Sequence, residues 1–308
     1  KMKKEEVKIN TLLDKIAPED LRRFLRSEFE KDQKLKDHFA IYFSGEASEQ
    51  KSLYDYRKEI DCIYRNAAGR YDYLEYGTEV DFSPFHELAE RYIEKDKFLN
   101  AAIIYRALSE VIAENMENVD DSDGYYGSEF DMALEEFADS ISRANINFKE
   151  KKDYINYLFE KYIANKPDYF QDNYARALKS ICTTKEELEY LRNLLKPHLP
   201  SDIPDKNEWH NYYQAKELLM MYFSVLDRLD EKEEFTYLIK RNYRKDDDFC
   251  LLYAERLVKE NRIEHAIEIA EEGLNLFPET DELRIFLNQF YKKQSPEKYK
   301  DIVDRKGN

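Results

Sequence analysis

Five consecutive residues invite a chemical reading before anything else in the chain: Asp120, Asp121, Ser122, Asp123 and Gly124. Oxygen-rich runs closed by glycine are how helical proteins hold calcium. Setting Gly124 on the glycine of an EF-hand loop puts Asp121 and Asp123 at ligand positions. The first ligand position then falls on Val119 and the closing glutamate position on Phe130, so the EF-hand reading fails. Two readings stay open for the run: an acidic turn capping a helix that begins near Ser128, or a metal or partner contact. Asp121, Asp123, Gly124, Tyr125 and Tyr126 are carried forward as the candidate binding residues.

Other catalytic patterns are missing. His38, His86, His198, His210 and His265 are dispersed, with no HExxH. No GxSxG, phosphate-binding glycine loop or Rossmann fingerprint occurs. With 65 acids in the chain, no carboxylate pair can be singled out as general acid and base. Cys62, Cys182 and Cys250 lack the clustering of a structural zinc site, and an odd, scattered set suits a reducing cytoplasm. They are expected to be small buried hydrophobes. The expectation is a protein that is not an enzyme and carries no cofactor and no metal. Tyrosine is the odd abundance, at 25 residues, with clusters at Tyr71, Tyr73 and Tyr76, at Tyr125 and Tyr126, and at Tyr212 and Tyr213. Such side chains fill helix seams or serve as interface contacts.

The elements that must position these residues are helices. Only 7 Gly and 8 Pro occur in 308 residues, whereas 37% of the chain is charged, much of it Glu and Lys. Apolar residues recur at three and four: Leu21, Phe24, Leu25 and Phe29; Leu188, Leu191, Leu194 and Leu195; Leu283, Phe286, Leu287 and Phe290. Pro18 with Glu19 and Asp20 opens one helix, and Ser83 before Pro84 reads as an N-cap. Thr184 with Glu187, Asp230 with Glu233, and Asn261 with Glu264 have capping-box spacing. Trp209 is expected to start and pack a helix. Apolar runs such as 218–223 are far below the roughly 20 residues that span a bilayer, so no membrane association is expected. Residues 1–10 lack an export pattern. Lys1 ahead of Met2 fits a piece of a longer protein or a residual tag.

Repeat spacing is sharpest over 250–278. Ala254, Ala266, Gly273 and Pro278 are separated by twelve, seven and five, with Tyr253, Leu257 and Ile263 at large positions. This resembles a tetratricopeptide hairpin, in which small residues let two antiparallel helices cross closely. A weaker copy spans 85–113, with Leu88, Ala89, Tyr92, Phe98, Ala101 and Tyr105, and Leu108 where a small residue is wanted. Further hairpins are sketched at 151–181, 185–227 and 231–260. The predicted fold is therefore all-α, a superhelical stack of antiparallel helical hairpins, a TPR-like α-solenoid. Its divisions are an N-terminal helical pair at 1–44, a helical-repeat half at 53–197, and a C-terminal half at 206–308. That last half holds the 250–278 hairpin and a closing helix at 281–293. Breaks are expected at 44–52, at 115–128, and at 196–207, where Pro197, Pro200 and Pro204 cluster.

Three stretches together resemble the helical region that accompanies SWIM-type zinc fingers in bacterial and archaeal proteins. They are LLDKIAPEDLRRFLRSEFEKDQKL (12–35), the run from Tyr92 into VDDSDGYYG (119–127), and YAERLVKENRIEHAIEIAEEGLNLFPE (253–279). A SWIM finger needs CxCx(n)CxH, which the three cysteines cannot supply, so zinc does not carry over. The resemblance implies protein- or DNA-associated assembly work.

Net charge is −16. An acidic surface disfavours direct nucleic acid binding, which needs cations to neutralise phosphates. The only candidate basic strips are Arg22, Arg23 and Arg26, and Lys240, Arg241, Arg244 and Lys245. The expected function is a protein–protein interaction scaffold with an acidic, aromatic groove for a basic partner segment. The alternative is an accessory subunit of nucleic-acid-associated machinery.

Overall fold

Helix-forming composition and three-four periodicity lead to the architecture seen. A computed structural model describes residues 11–44, 51–68, 73–165, 170–200, 202–204 and 206–294. Among the described residues the chain is all-helical, with no strand and one isolated β-bridge, Leu74 to Val119. Residues 45–50, expected to be a loop, and Tyr71 lie outside the described residues. Two compact units are formed, 1–182 and 183–308, so the proline-bearing stretch falls inside the second.

The first unit holds α1 (Pro18–Phe29), α2 (Gln33–Ser44), α3 (Leu53–Ala68), α4 (Ser83–Glu94), α5 (Phe98–Asn115), α6 (Tyr125–Arg143), α7 (Phe148–Ala164) and α8 (Gln171–Ile181). Its centre is α5, which packs against α3, α4 and α6. Ala101, Ala102 and Ala107 are fully buried and give neighbours room on several sides, while Ile104, Leu108, Val111 and Ile112 fill the seams. Ala89 on α4 is likewise fully buried. On α6, Phe130 stacks on Phe170 at 3.7 Å between ring centres. In contrast, α1 buries no residue, and Phe24 of its apolar stripe is 60% exposed.

The second unit holds α9 (Lys185–Leu195), α10 (Trp209–Leu229), α11 (Lys232–Asn242), α12 (Asp247–Lys259), α13 (Ile263–Leu276) and α14 (Asp281–Gln294). Ala254, Ala266 and Gly273 are buried where α12 and α13 meet, and α14 packs on both. Pro278 follows the end of α13 and is exposed. Arg256, its side chain 7% exposed, joins the turn after α10 to α12: it meets Asp227 at 2.5 Å, Asp230 at 3.1 Å and Glu260 at 3.1 Å.

Helix ends differ from expectation in an instructive way. The Thr184–Glu187 capping box is present, and a second box forms at Asn147 and Glu150. Asp230 and Asn261 cap nothing at the start of α11 or α13. Both take left-handed backbone, at φ 56° and 59°, to turn the chain after a helix has ended, a conformation that Asp and Asn tolerate better than most residues. Ser83 is the first helical residue and not the cap. Asp81 Oδ1 instead accepts its N–H at 3.0 Å and its hydroxyl at 2.5 Å. Cys182 and Cys250 are buried as expected, but Cys62 is exposed. Trp209 does start α10, yet it is 58% exposed and meets only the edge of Tyr213 among the described aromatic rings.

Candidate functional site

The loop between α3 and α4 is held down by the turn before α6. Leu74 N–H donates to Asn118 O and Asp120 N–H donates to Leu74 O, both at 2.9 Å. Tyr126 hydroxyl donates to Thr78 O at 2.6 Å and accepts from Val80 N–H at 3.2 Å, while Tyr125 hydroxyl donates to Val80 O at 2.7 Å. Leu74, Val80 and Phe82 are buried beneath this lacing. The two tyrosines therefore satisfy backbone groups that would otherwise lie unpaired beside the core.

The acidic run is part of the same device. Asp121 carboxylate accepts Tyr126 N–H at 2.7 Å and Gly127 N–H at 2.9 Å, capping the first turn of α6. Asp123 accepts Tyr125 N–H at 3.1 Å, and Asp120 accepts Ser122 N–H at 3.2 Å. Gly124 supplies the left-handed turn, φ 76°. The helix thus begins at Tyr125 rather than near Ser128. Among the described residues no group of three or more His, Cys, Asp or Glu side chains is arranged to hold a metal ion.

With this loop in place, α4, α5 and α6 enclose a cleft of about 570 Å³. Phe82, Ile93, Tyr105 and Met132 give it apolar walls, and Tyr125 is the one candidate binding residue that reaches it. Five carboxylates line it: Asp81 just ahead of α4, Glu87 and Glu90 on α4, and Glu129 and Glu136 on α6. Facing them are His86 and Arg143. His86 Nε2 lies 2.9 Å from Glu129, and Glu87 lies 3.1 Å from His38 on α2. Arg143 is drawn aside, over the Phe98 ring at 4.4 Å and onto Asp139 at 3.2 Å.

The excess negative charge is felt by its members. Burial, then the neighbouring charges of Asp139 and Glu135, hold the Glu136 carboxyl above the usual carboxylate value, against the partial relief of Arg143. Burial, then Glu136 and Glu90, raise the Tyr105 phenol, so it keeps its proton. Sequence reasoning did not single out His86, Glu90, Tyr105, Glu136 and Arg143 as a group. A signal was present: His86, Glu90 and Ile93 share one face of α4, as Glu129, Met132 and Glu136 share one face of α6.

Compared with protein-family models and with curated proteins, the chain matches none.

A smaller cleft, about 320 Å³, lies in the second unit beside Trp209, Tyr213, Lys206 and Lys216. Its lysines are neutralised from below. Asp246, fully buried, accepts from Tyr212 hydroxyl and from Lys216 at 3.1 Å, and Lys206 stands 3.8 Å from it. Most cations of the candidate basic strips also stand beside acids. Arg241 and Lys245 both turn onto Asp202 at 3.1 Å, and Arg244 meets Glu272 at 2.7 Å. Arg22 and Arg23 stand 3.6 and 3.8 Å from Glu19 and Asp20. No helix among the described residues is long and apolar enough to cross a membrane.

Proposed function

We propose that this chain is a non-enzymatic interaction scaffold, whose units are stacks of TPR-like hairpins and whose first unit receives a basic segment of a partner protein. The observation that carries the reading is the cleft between α4 and α6. Five carboxylates share it with one arginine, itself committed to Asp139, and one histidine, itself committed to Glu129. Apolar walls beside uncompensated charge suit a partner whose cations replace the missing counter-charge and whose stems or side chains cover Ile93 and Met132. Small residues at Ala254, Ala266 and Gly273 support the TPR-like reading of the α12–α13 pair. Three free cysteines accord with a reducing, cytoplasmic setting.

The alternative, an accessory of nucleic-acid machinery suggested by the SWIM-associated resemblance, needs a contiguous basic strip. The pairing of Arg241 and Lys245 with Asp202 gives it no support. A labelled basic peptide measured against the full chain by fluorescence anisotropy separates the two readings. Binding should weaken on the order of tenfold or more between low and physiological salt, as screening shortens the reach of the cleft's charges to about 8 Å. Unchanged affinity across that range would remove the acidic-cleft reading. Retardation of DNA or RNA in a gel at low salt would favour the alternative.

A further inference from the structure

Within the cleft, one side chain is buried and still has work undone. Tyr105 is 2% exposed and lines the cavity, yet its hydroxyl makes no hydrogen bond to any described residue. The contrast with Tyr125 and Tyr126 is direct, because both of those hydroxyls are paired with backbone. Its ring is buried but its hydroxyl opens onto the cavity, where it is free to accept from an incoming donor.

Two carboxylates share its position. Asp81 is occupied by Ser83, Glu87 by His38 and Glu129 by His86. That leaves Glu90 and Glu136, which have no ion pair with a described residue at contact distance. The charges of both act on the Tyr105 phenol. We infer that Glu90, Tyr105 and Glu136 form the receptor for one lysine side chain of the partner segment, an inference that rests on the cleft reading above. The chemistry favours lysine over arginine. An ammonium is a compact charge with three donors, and two carboxylates with one phenol oxygen offer three acceptors, the phenol proton remaining free to point at a carboxylate. Ile93 and Met132, the latter 41% exposed, line the same cavity and can cover the methylene stem on its way in.

The test titrates the full chain, carrying ¹³Cζ-labelled tyrosine, with a lysine hexapeptide, an arginine hexapeptide, a fully acetylated lysine hexapeptide and spermidine. Tyr105→Phe assigns the resonance and, removing only a hydroxyl, keeps the fold. The lysine peptide should shift the Tyr105 signal, and Tyr105→Phe should weaken its binding on the order of tenfold or more, the effect of one hydrogen bond to a charged donor. Glu90→Gln with Glu136→Gln should weaken it on the order of tenfold or more. Glu94→Gln, which removes a charge from α4 outside the cavity, should change it less than about twofold. Acetylation should abolish it.

If the lysine peptide binds all these variants alike, while salt still weakens it, the lysine receptor is wrong and the cleft reading survives. If it fails to bind the unaltered chain, both fall. Tighter binding by the arginine peptide or spermidine, with the same Tyr105 shift, overturns the assignment to lysine.

Discussion

Gly273 on α13 lies so close to Cys250 on α12 that a Cβ added to the glycine would stand 2.9 Å from the Cys250 Cβ and 3.0 Å from its sulfur. On its other side the same atom would meet Leu283 Cδ1 of α14 at 3.0 Å. A glycine inside a helix costs about 1 kcal/mol relative to alanine, so close approach to two neighbours at once is what it provides. The Cys250 thiol that occupies this space donates to Tyr243 O at 2.6 Å, and burial pushes that thiol up to about 12. Gly273→Ala should therefore destabilise the second unit by about 1–2 kcal/mol, overpacking outweighing the gain in helix propensity. Urea denaturation followed by circular dichroism measures it. An unchanged or raised midpoint would mean that the helices can move apart at no cost.

Asp121 gives the second prediction. Its carboxylate holds the first two backbone N–H groups it reaches in α6, and α6 in turn carries both tyrosines that pin the α3–α4 loop. Asp121→Ala should cost about 1–2 kcal/mol, as removal of a helix cap does. It should also speed amide exchange at Val80, which depends on Tyr126. Calcium added at millimolar concentration should shift the unfolding midpoint of neither protein. A calcium-dependent rise in the unaltered chain, lost in the variant, would restore the metal reading of the acidic run.

Why some of this was legible and some not follows from the range of the interactions. The period of the apolar residues and the scarcity of glycine announce helices, because both act within one turn. The Thr184–Glu187 box is legible for the same reason. Asp230 and Asn261 carry the same local letters but serve the preceding helix, since the tertiary path needs a left-handed residue there. The cleft is less legible still. Glu90 and Glu136 stand on helices separated in sequence by the whole of α5, and only packing around the small residues of α5 brings them to one cavity. Nothing local marks Tyr105 as the tyrosine whose hydroxyl faces the cleft without a partner while Tyr125 and Tyr126 are satisfied.

Glu136 predicts a trade between stability and binding. Its carboxyl is raised by burial and by Asp139 and Glu135. A raised folded value means that the protonated form suits the fold better. The cost of ionisation is absent at low pH and sets in as pH climbs from the ordinary carboxylate value, 4.5, through the raised one. At neutral pH, Glu136→Gln should thus stabilise the first unit by about 0.5 kcal/mol, the scale of relieved like-charge pairs on a helix. The gain should vanish near pH 3. The same substitution weakens binding of a lysine peptide. A variant that is less stable at pH 7 would show Glu136 to be structural, held by favourable contacts rather than kept for a partner.

Arg256 gives the opposite pH sign in the second unit. Burial alone would raise Asp227, but hydrogen bonds from Lys259 and Arg256 outweigh it and hold the carboxyl below its ordinary value of 3.8. Glu234 is likewise held below 4.5, hydrogen bonds from Lys196 and Tyr222 overcoming its burial. A depressed folded value gives stability that is complete above the unfolded value and lost as pH falls through the folded one. Arg256→Met keeps much of the packing against Phe235, whose ring centre is 5.3 Å from the guanidinium, but leaves three acids without their shared cation. At pH 7 the variant should be less stable by about 2 kcal/mol, below the full cost of breaking a buried pair because Asp230 is 68% exposed. The deficit should shrink as pH falls through the depressed Asp227 value, where the carboxylate takes up its proton and no longer needs the cation. Urea midpoints at pH 7 and pH 2.5 decide it. A deficit that stays constant across that range would place the role of Arg256 in its packing and not in its charge.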